Sequence, residues 1–254
     1  MQIIHIKKHN NGVIAMFAAI SLVISMISVI IYSSGVTVNK STIILKMIAS
    51  TVFLVCGILA RKLSKNNLQY SWLVISGLAC GFIGDFLLAA KYTAGLKWSW
   101  GFEAGLLFFF IEHILLILAL TGIQRISLKD IIISAIVYIP FLLLFITGRE
   151  KLETLLIPMI VYGFILIFVT VKAFSIPAAL VNSPTQILLA VGIAFFCLSD
   201  IILGLSMTFD LNAEIAKLFS CPKPYDTQWI FFSNAITYFL GQTMIASTIF
   251  YIKK

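Results

Sequence analysis

The chain has 254 residues, of which 61% are hydrophobic and only 11% charged, and its mean hydropathy is +1.07. A soluble domain carries roughly 25% charged residues, so this deficit argues against a water-soluble globule and makes lipid the solvent. The net charge of +8 is scattered rather than gathered into a basic stripe with interleaved aromatics, which argues against a nucleic-acid partner.

Apolar runs predict helices at about 13–32, 41–60, 70–90, 102–122, 129–147, 154–174, 185–208 and 228–252, each long enough for a ~30 Å hydrocarbon layer at ~1.5 Å rise per residue. The first run exceeds the ~7–15 residues of a signal-peptide core and no A-x-A site follows it, so it reads as a retained helix. The expected fold is an all-α, polytopic membrane bundle of eight helices in a single domain spanning residues 1–254. The gaps between runs are short and hold Arg61-Lys62, Asn66-Asn67, Gly148-Arg149-Glu150 and Asn182-Ser183-Pro184; only Asp210 to Thr227 is long enough for an ordered excursion.

Eight spans place Lys7, Lys8, Arg61, Lys62, Lys65, Arg125, Lys129, Lys172, Lys253 and Lys254 on one face. Lys40, Lys91, Lys97, Arg149, Lys151, Lys217 and Lys223 fall on the other. The positive-inside bias then puts both termini in the cytoplasm.

Five ionisable residues remain at membrane depth: Lys46 in the second run, Asp85 in the third, Glu112 and His113 in the fourth, and Asp200 in the seventh. An unpaired charge at the bilayer centre costs roughly 2.5–3.5 kcal/mol on insertion scales, so such residues are functional candidates by default. Helix direction and a ~1.5 Å rise put Lys46, Asp85 and Asp200 at about the same depth, ~7–12 Å below the outer face. That shared level predicts one cavity between two aspartates, with Lys46 holding one as the carboxylate and burial keeping the other protonated. The apolar neighbours of Asp85 make it the expected proton donor. Ser199 and a nearer Lys46 make Asp200 the expected carboxylate. The last run adds Asn234, Tyr238 and Gln242 at helical spacing, and the fourth adds Gly105, Phe109 and His113. Gly77, Gly81 and Gly84 read as close-packing positions beside Asp85.

The segment GLACGFIGDFLL from Gly77 and the segment GIAFFCLSDIIL from Gly192 align at a constant offset, Asp85 on Asp200. Four helices apart, they point to a 4+4 parallel repeat. Cys56, Cys80, Cys197 and Cys221 make no CxxC, and only one His lies in the membrane, so no metal site or cofactor is expected.

These residues carry a resemblance. Lys46, the G-D-x-x-L from Gly84 to Leu88, the frame Gly105, Phe109, His113, the Ser199-Asp200 pair after Gly192, and Tyr238 with Gln242 together resemble the YhhN family of eight-helix membrane proteins, whose characterised members are lysoplasmalogenases. The similarity runs from about Ser41 to Thr248. Met47 stands where the family often has Pro, and Leu116 where it usually has Tyr. The resemblance implies cofactor-free hydrolysis of a lysophospholipid vinyl ether to a fatty aldehyde. Asp85 and Asp200 would be the catalytic residues, supported by Lys46, His113, Ser199, Tyr238 and Gln242. The alternative is a lipid-binding or proton-coupled transport protein.

Overall fold

The computed structural model describes residues 40–64, 67–91, 100–208 and 228–252, with five isolated helical positions, Met16, Ala19, Ile20, Val23 and Ile27. The rest of the expected first run, the Asp210–Thr227 excursion and both termini lie outside the described residues.

The described residues form seven long helices: α1 Lys40–Ser64, α2 Leu68–Lys91, α3 Gly101–Ile123, α4 Leu128–Thr147, α5 Leu156–Ser175, α6 Ser183–Thr208 and α7 Gln228–Tyr251. A helical turn at Arg149–Leu152 and a 3-10 turn at Glu153–Leu155 lead into α5, and a short turn at Ala178–Val181 precedes α6. No strand occurs among the described residues. The helices follow the apolar runs, and their starts follow the polar punctuation. Asn67 Oδ1 accepts the Tyr70 amide at 3.1 Å, and Asn182 Oδ1 accepts the Thr185 amide at 3.0 Å. Ser127 and Asp130 form a reciprocal capping box at the head of α4, with bonds of 3.2 and 2.9 Å. Each satisfies an amide that the first helical turn leaves without a partner.

Among the described residues six segments are long and apolar enough to cross a membrane: Ile44–Ser64, Leu68–Ala90, Gly101–Ile123, Leu128–Thr147, Arg149–Ser175 and Ser183–Ser206. The protein is thus a multi-pass membrane protein. α7 has the length, 24 residues, but Asn234, Thr237, Gln242, Thr243, Ser247 and Thr248 dilute its apolar character. The interior receives them: Gln242, Thr243, Ser247 and Thr248 are all buried.

The helices close into a ring. α1 packs on α2, α2 on α3, α3 on α5, α5 on α6, α6 on α7, and α7 back on α1, while α7 also touches α2 across the ring. α4 sits outside and packs chiefly on α5. The seams α2–α3 and α6–α7 are the most extensive, and small residues explain both. A Cβ on Gly84 would lie 3.2 Å from the Gly105 carbonyl oxygen. One on Gly241 would lie 2.7 Å from the Phe196 amide nitrogen and 2.8 Å from the Gly192 carbonyl oxygen. Backbones at this separation leave no room for any side chain, the packing mode that membrane helices use in place of a hydrophobic drive.

Candidate active site

α1 and α2 bring Lys46 to Asp85. The Lys46 ammonium lies 2.9 Å from Asp85 Oδ1, while Asp85 Oδ2 accepts the Ser50 hydroxyl at 2.6 Å and the Tyr238 hydroxyl at 2.8 Å. Ser50 follows Lys46 by one helical turn and so shares its face. With one cation and two hydroxyl donors, Asp85 is equipped as an anion. The sequence placed Lys46 nearer Asp200; the structure gives it to Asp85 instead.

Asp200 has a poorer set of partners. The Tyr162 hydroxyl, from α5, donates a short hydrogen bond to Asp200 Oδ2, and His113 Nε2 from α3 stands 3.8 Å from the same oxygen. His113 Nδ1 is 2.7 Å from the Phe109 carbonyl oxygen. A carbonyl only accepts, so Nδ1 carries a hydrogen, and in the neutral ring Nε2 presents its lone pair to Asp200. No lysine or arginine pairs with Asp200 among the described residues.

A chain of aromatic contacts runs between the surroundings of the two aspartates. Tyr238, bonded to Asp85, makes edge contacts with Phe109 and Phe196 at ring separations of 5.9 and 5.6 Å, and Phe196 packs on His113 at 4.5 Å. The recesses lie on the Asp200 side. One is lined by Leu88, Phe102, Leu106, Phe109, Met159, Tyr162, Asp200, Leu203 and Gly204. A second shares Met159, Tyr162, Asp200 and Gly204 and adds Phe141, Leu144 and Phe145 of α4. Asp200 lines both recesses and Asp85 lines neither, so neither is the cavity expected between the two carboxyls.

The other expected residues are distributed around these groups. Tyr238 reaches Asp85. Gln242 instead donates from Nε2 to Glu112 Oε1 at 2.9 Å. Ser199 faces away from its neighbour: its hydroxyl and carbonyl oxygens both accept from Asn234 Nδ2, at 3.0 and 2.7 Å, and so brace α6 on α7.

Sequence reasoning missed three participants. Ser50 was signalled by its helical spacing from Lys46. Tyr162 was signalled only by being a hydroxyl in the middle of an apolar run. Lys172, counted as a loop charge, is fully buried; its ammonium lies 3.0 Å from Asp130 and donates to the Arg125 carbonyl at 2.9 Å.

A ring of membrane helices enclosing a clamped carboxylate and a second carboxyl on the wall of an apolar recess defines a polytopic membrane protein with a buried acid site. The YhhN family model matches residues 41–249, most of the chain, and the chain belongs to that family. No curated protein and no solved structure matches it.

Proposed function

We propose that this protein is a membrane-embedded hydrolase that cleaves the vinyl ether bond of a lysoplasmalogen, giving a fatty aldehyde and a glycerophospho-alcohol. The observation that carries the reading is the unequal setting of the two aspartates. Asp85 has a lysine and two hydroxyls; Asp200 has one hydroxyl and an imidazole and opens on an apolar recess. Only Asp200 lies where a hydrocarbon chain can bring a substrate to a carboxyl, while Asp85 is committed to its three donors.

The roles are the reverse of those expected from sequence. Asp200 is the proton donor and Asp85 the fixed anion. The single hydrocarbon chain lies along Leu88, Phe102, Leu106 and Met159 and brings its vinyl ether to Asp200. Asp200 protonates the β-carbon, the double-bond electrons move to form that C–H bond, and an oxocarbenium ion is left at the α-carbon. Glycosidases meet a similar cation with paired carboxyls. Water attacks the α-carbon and gives up a proton to His113 Nε2 or to the Asp200 carboxylate. The hemiacetal hydroxyl then gives up its proton as the aldehyde C=O forms and the bond to the glyceryl oxygen breaks, and His113 Nε2 or the Asp200 carboxyl relays a proton to that oxygen. One water is consumed and the donor is restored. The Lys46–Asp85 pair acts on this site at one remove, holding Tyr238 and through it the aromatic wall. Ser199 supports the arrangement through Asn234. Both termini are assigned to the cytoplasmic side from the lysine and arginine bias.

A second reading is a lipid-binding or proton-coupled transport protein. The packing favours it in one respect. The seams α1–α2, α2–α3 and α7–α1 are matched by α5–α6, α6–α7 and α3–α5, the pattern a 4+4 duplication leaves, and parallel repeats are common in transporters.

Aldehyde release from a vinyl-ether lysolipid by the purified protein separates the two. Asp200→Asn is expected to lower turnover ~10²–10⁴-fold, the usual contribution of general acid catalysis. Purified protein that releases no aldehyde from any lysoplasmalogen headgroup class would leave the transport reading.

A further inference from the structure

Glu112 and Gln242 form a polar pair that the proposed chemistry does not use. Both are buried, at 1% and 0% exposure. Gln242 Nε2 donates to Glu112 Oε1 at 2.9 Å. The other two oxygens, Glu112 Oε2 and Gln242 Oε1, are buried and have no hydrogen-bond partner. Two orphaned oxygens in a membrane core call for an explanation.

One proton supplies it. When the amide N–H on the same side as its own carbonyl meets a carboxyl oxygen, the second oxygens of the two groups come to face each other. While Glu112 is ionised, both are acceptors and oppose each other. In that arrangement a proton on Oε2 makes it a donor for Gln242 Oε1, and the two groups close a ring of two hydrogen bonds. Both orphans are then satisfied together. The surroundings agree. No lysine, arginine or histidine pairs with Glu112 among the described residues. The α2 backbone walls in the free oxygen, since a Cβ on Gly81 would lie 2.5 Å from Oε2. The titratable groups in electrostatic reach are Cys80 and Asp85 of α2, Tyr162 of α5, Asp200 of α6 and Tyr238 of α7, with His113 beside it on α3. None carries a fixed positive charge.

We infer that Glu112 is a neutral carboxylic acid closed on the Gln242 amide, a proton-binding site in the bundle core separate from Asp85 and Asp200. Its place on α3 gives it a positioning role. His113 is the next residue, about 100° around the helix, so fixing Glu112 against α2 and α7 turns His113 toward Asp200 on α6. Only this last consequence rests on the proposed reaction.

The test uses the purified full chain. Infrared spectra of the wild type are expected to show the carbonyl stretch of a neutral carboxylic acid across the pH range in which the protein is folded. Glu112→Gln removes one component of that band, read in the wild-type-minus-variant difference spectrum beside the Asp200 acid that stays, yet keeps an amide–amide ring, so the melting temperature is expected to stay within about 2–4 °C of wild type. Gln242→Leu strands the acid and is expected to lower it further. The exchanged double variant Glu112→Gln/Gln242→Glu is expected to restore both the band and the melting temperature, and aldehyde release where the wild type has it. A wild type without the band, a carboxylic-acid band of unchanged intensity in Glu112→Gln, or a carboxylate band that shifts with added sodium or potassium would each overturn the inference. The spectroscopic result stands whether or not aldehyde is released, so failure of the proposed reaction and failure of the proton site are read separately.

Discussion

Lys46 and Asp85 join α1 to α2 by an ion pair of 2.9 Å in which the lysine side chain is 33% exposed and the aspartate only 2%. The lysine keeps part of its ammonium toward the surface, while the carboxylate is committed to the interior and depends on its donors. Ser50 and Tyr238 take the remaining oxygen.

Removing the lysine therefore costs more through the aspartate than through the lysine. Lys46→Met is expected to lower stability by about 1.5–3 kcal/mol, the value of a hydrogen bond to a charged group, measured by thermal unfolding in detergent. The double variant Lys46→Met/Asp85→Asn is expected to recover part of that loss, because the uncompensated carboxylate is gone. Equal losses in the single and double variants would show that Asp85 does not need the cation.

Tyr162→Phe removes the hydroxyl that holds Asp200 and leaves the ring. Its expected stability cost is about 1 kcal/mol. Aldehyde release is expected to fall by roughly tenfold or more, since a donor outside productive geometry loses rate steeply. A loss of stability with unchanged turnover per folded molecule would assign Tyr162 to packing alone.

The Lys172–Asp130 pair is buried at both ends. Lys172→Met is expected to destabilise the fold by ~3–5 kcal/mol, the cost of leaving a buried partner uncompensated. Turnover per folded molecule should not change, because Asp130 and Lys172 tie the α3–α4 connection to α5 and line neither recess. A double-mutant cycle with Asp130→Asn, read by unfolding, checks that the two residues are coupled.

Gly241→Ala tests the α6–α7 seam. Its Cβ would meet the backbone of Phe196 and Gly192 at 2.7 and 2.8 Å, and backbone cannot rotate out of the way. Overpacking of this kind typically costs 1–3 kcal/mol. Gly122→Ala, where no atom lies within 4 Å of the added carbon, is the control and is expected to be neutral.

Helix placement was legible in the sequence because membrane helices must be long and apolar. The run read at 129–147 is observed at Leu128–Thr147, and the one read at 185–208 at Ser183–Thr208. The run read as ending near 60 continues to Ser64 because Arg61 and Lys62 form its last turn rather than a loop. The site was legible only as a set of residue types. Spacing assigned Lys46, Asp85, His113, Asp200 and Tyr238 to the interior but not to one another, because helix rotation is set by tertiary packing. Lys46 therefore went to the wrong aspartate. Tyr162 gave no sign beyond a lone hydroxyl, and Lys172 looked like a surface charge because burial of a lysine depends on a partner 42 positions away.

The second recess has one wall that the ring does not supply. Phe141, Leu144 and Phe145 of α4 cover it, and α4 is held from one side, by α5, the Tyr138 hydroxyl bond to the Ile160 carbonyl and the Asp130 pair at its head. Most of its remaining surface is exposed, including Ile132, Ile136, Ile139 and Leu143. Among the described residues nothing covers that face, so it is the side of the Asp200 recess turned to the acyl chains of the host bilayer. Lateral pressure and bilayer thickness are then expected to act on access to the acid, and the same chain embedded in thin, fluid lipid and in thick, ordered lipid is expected to present that carboxyl to the hydrocarbon phase to different degrees.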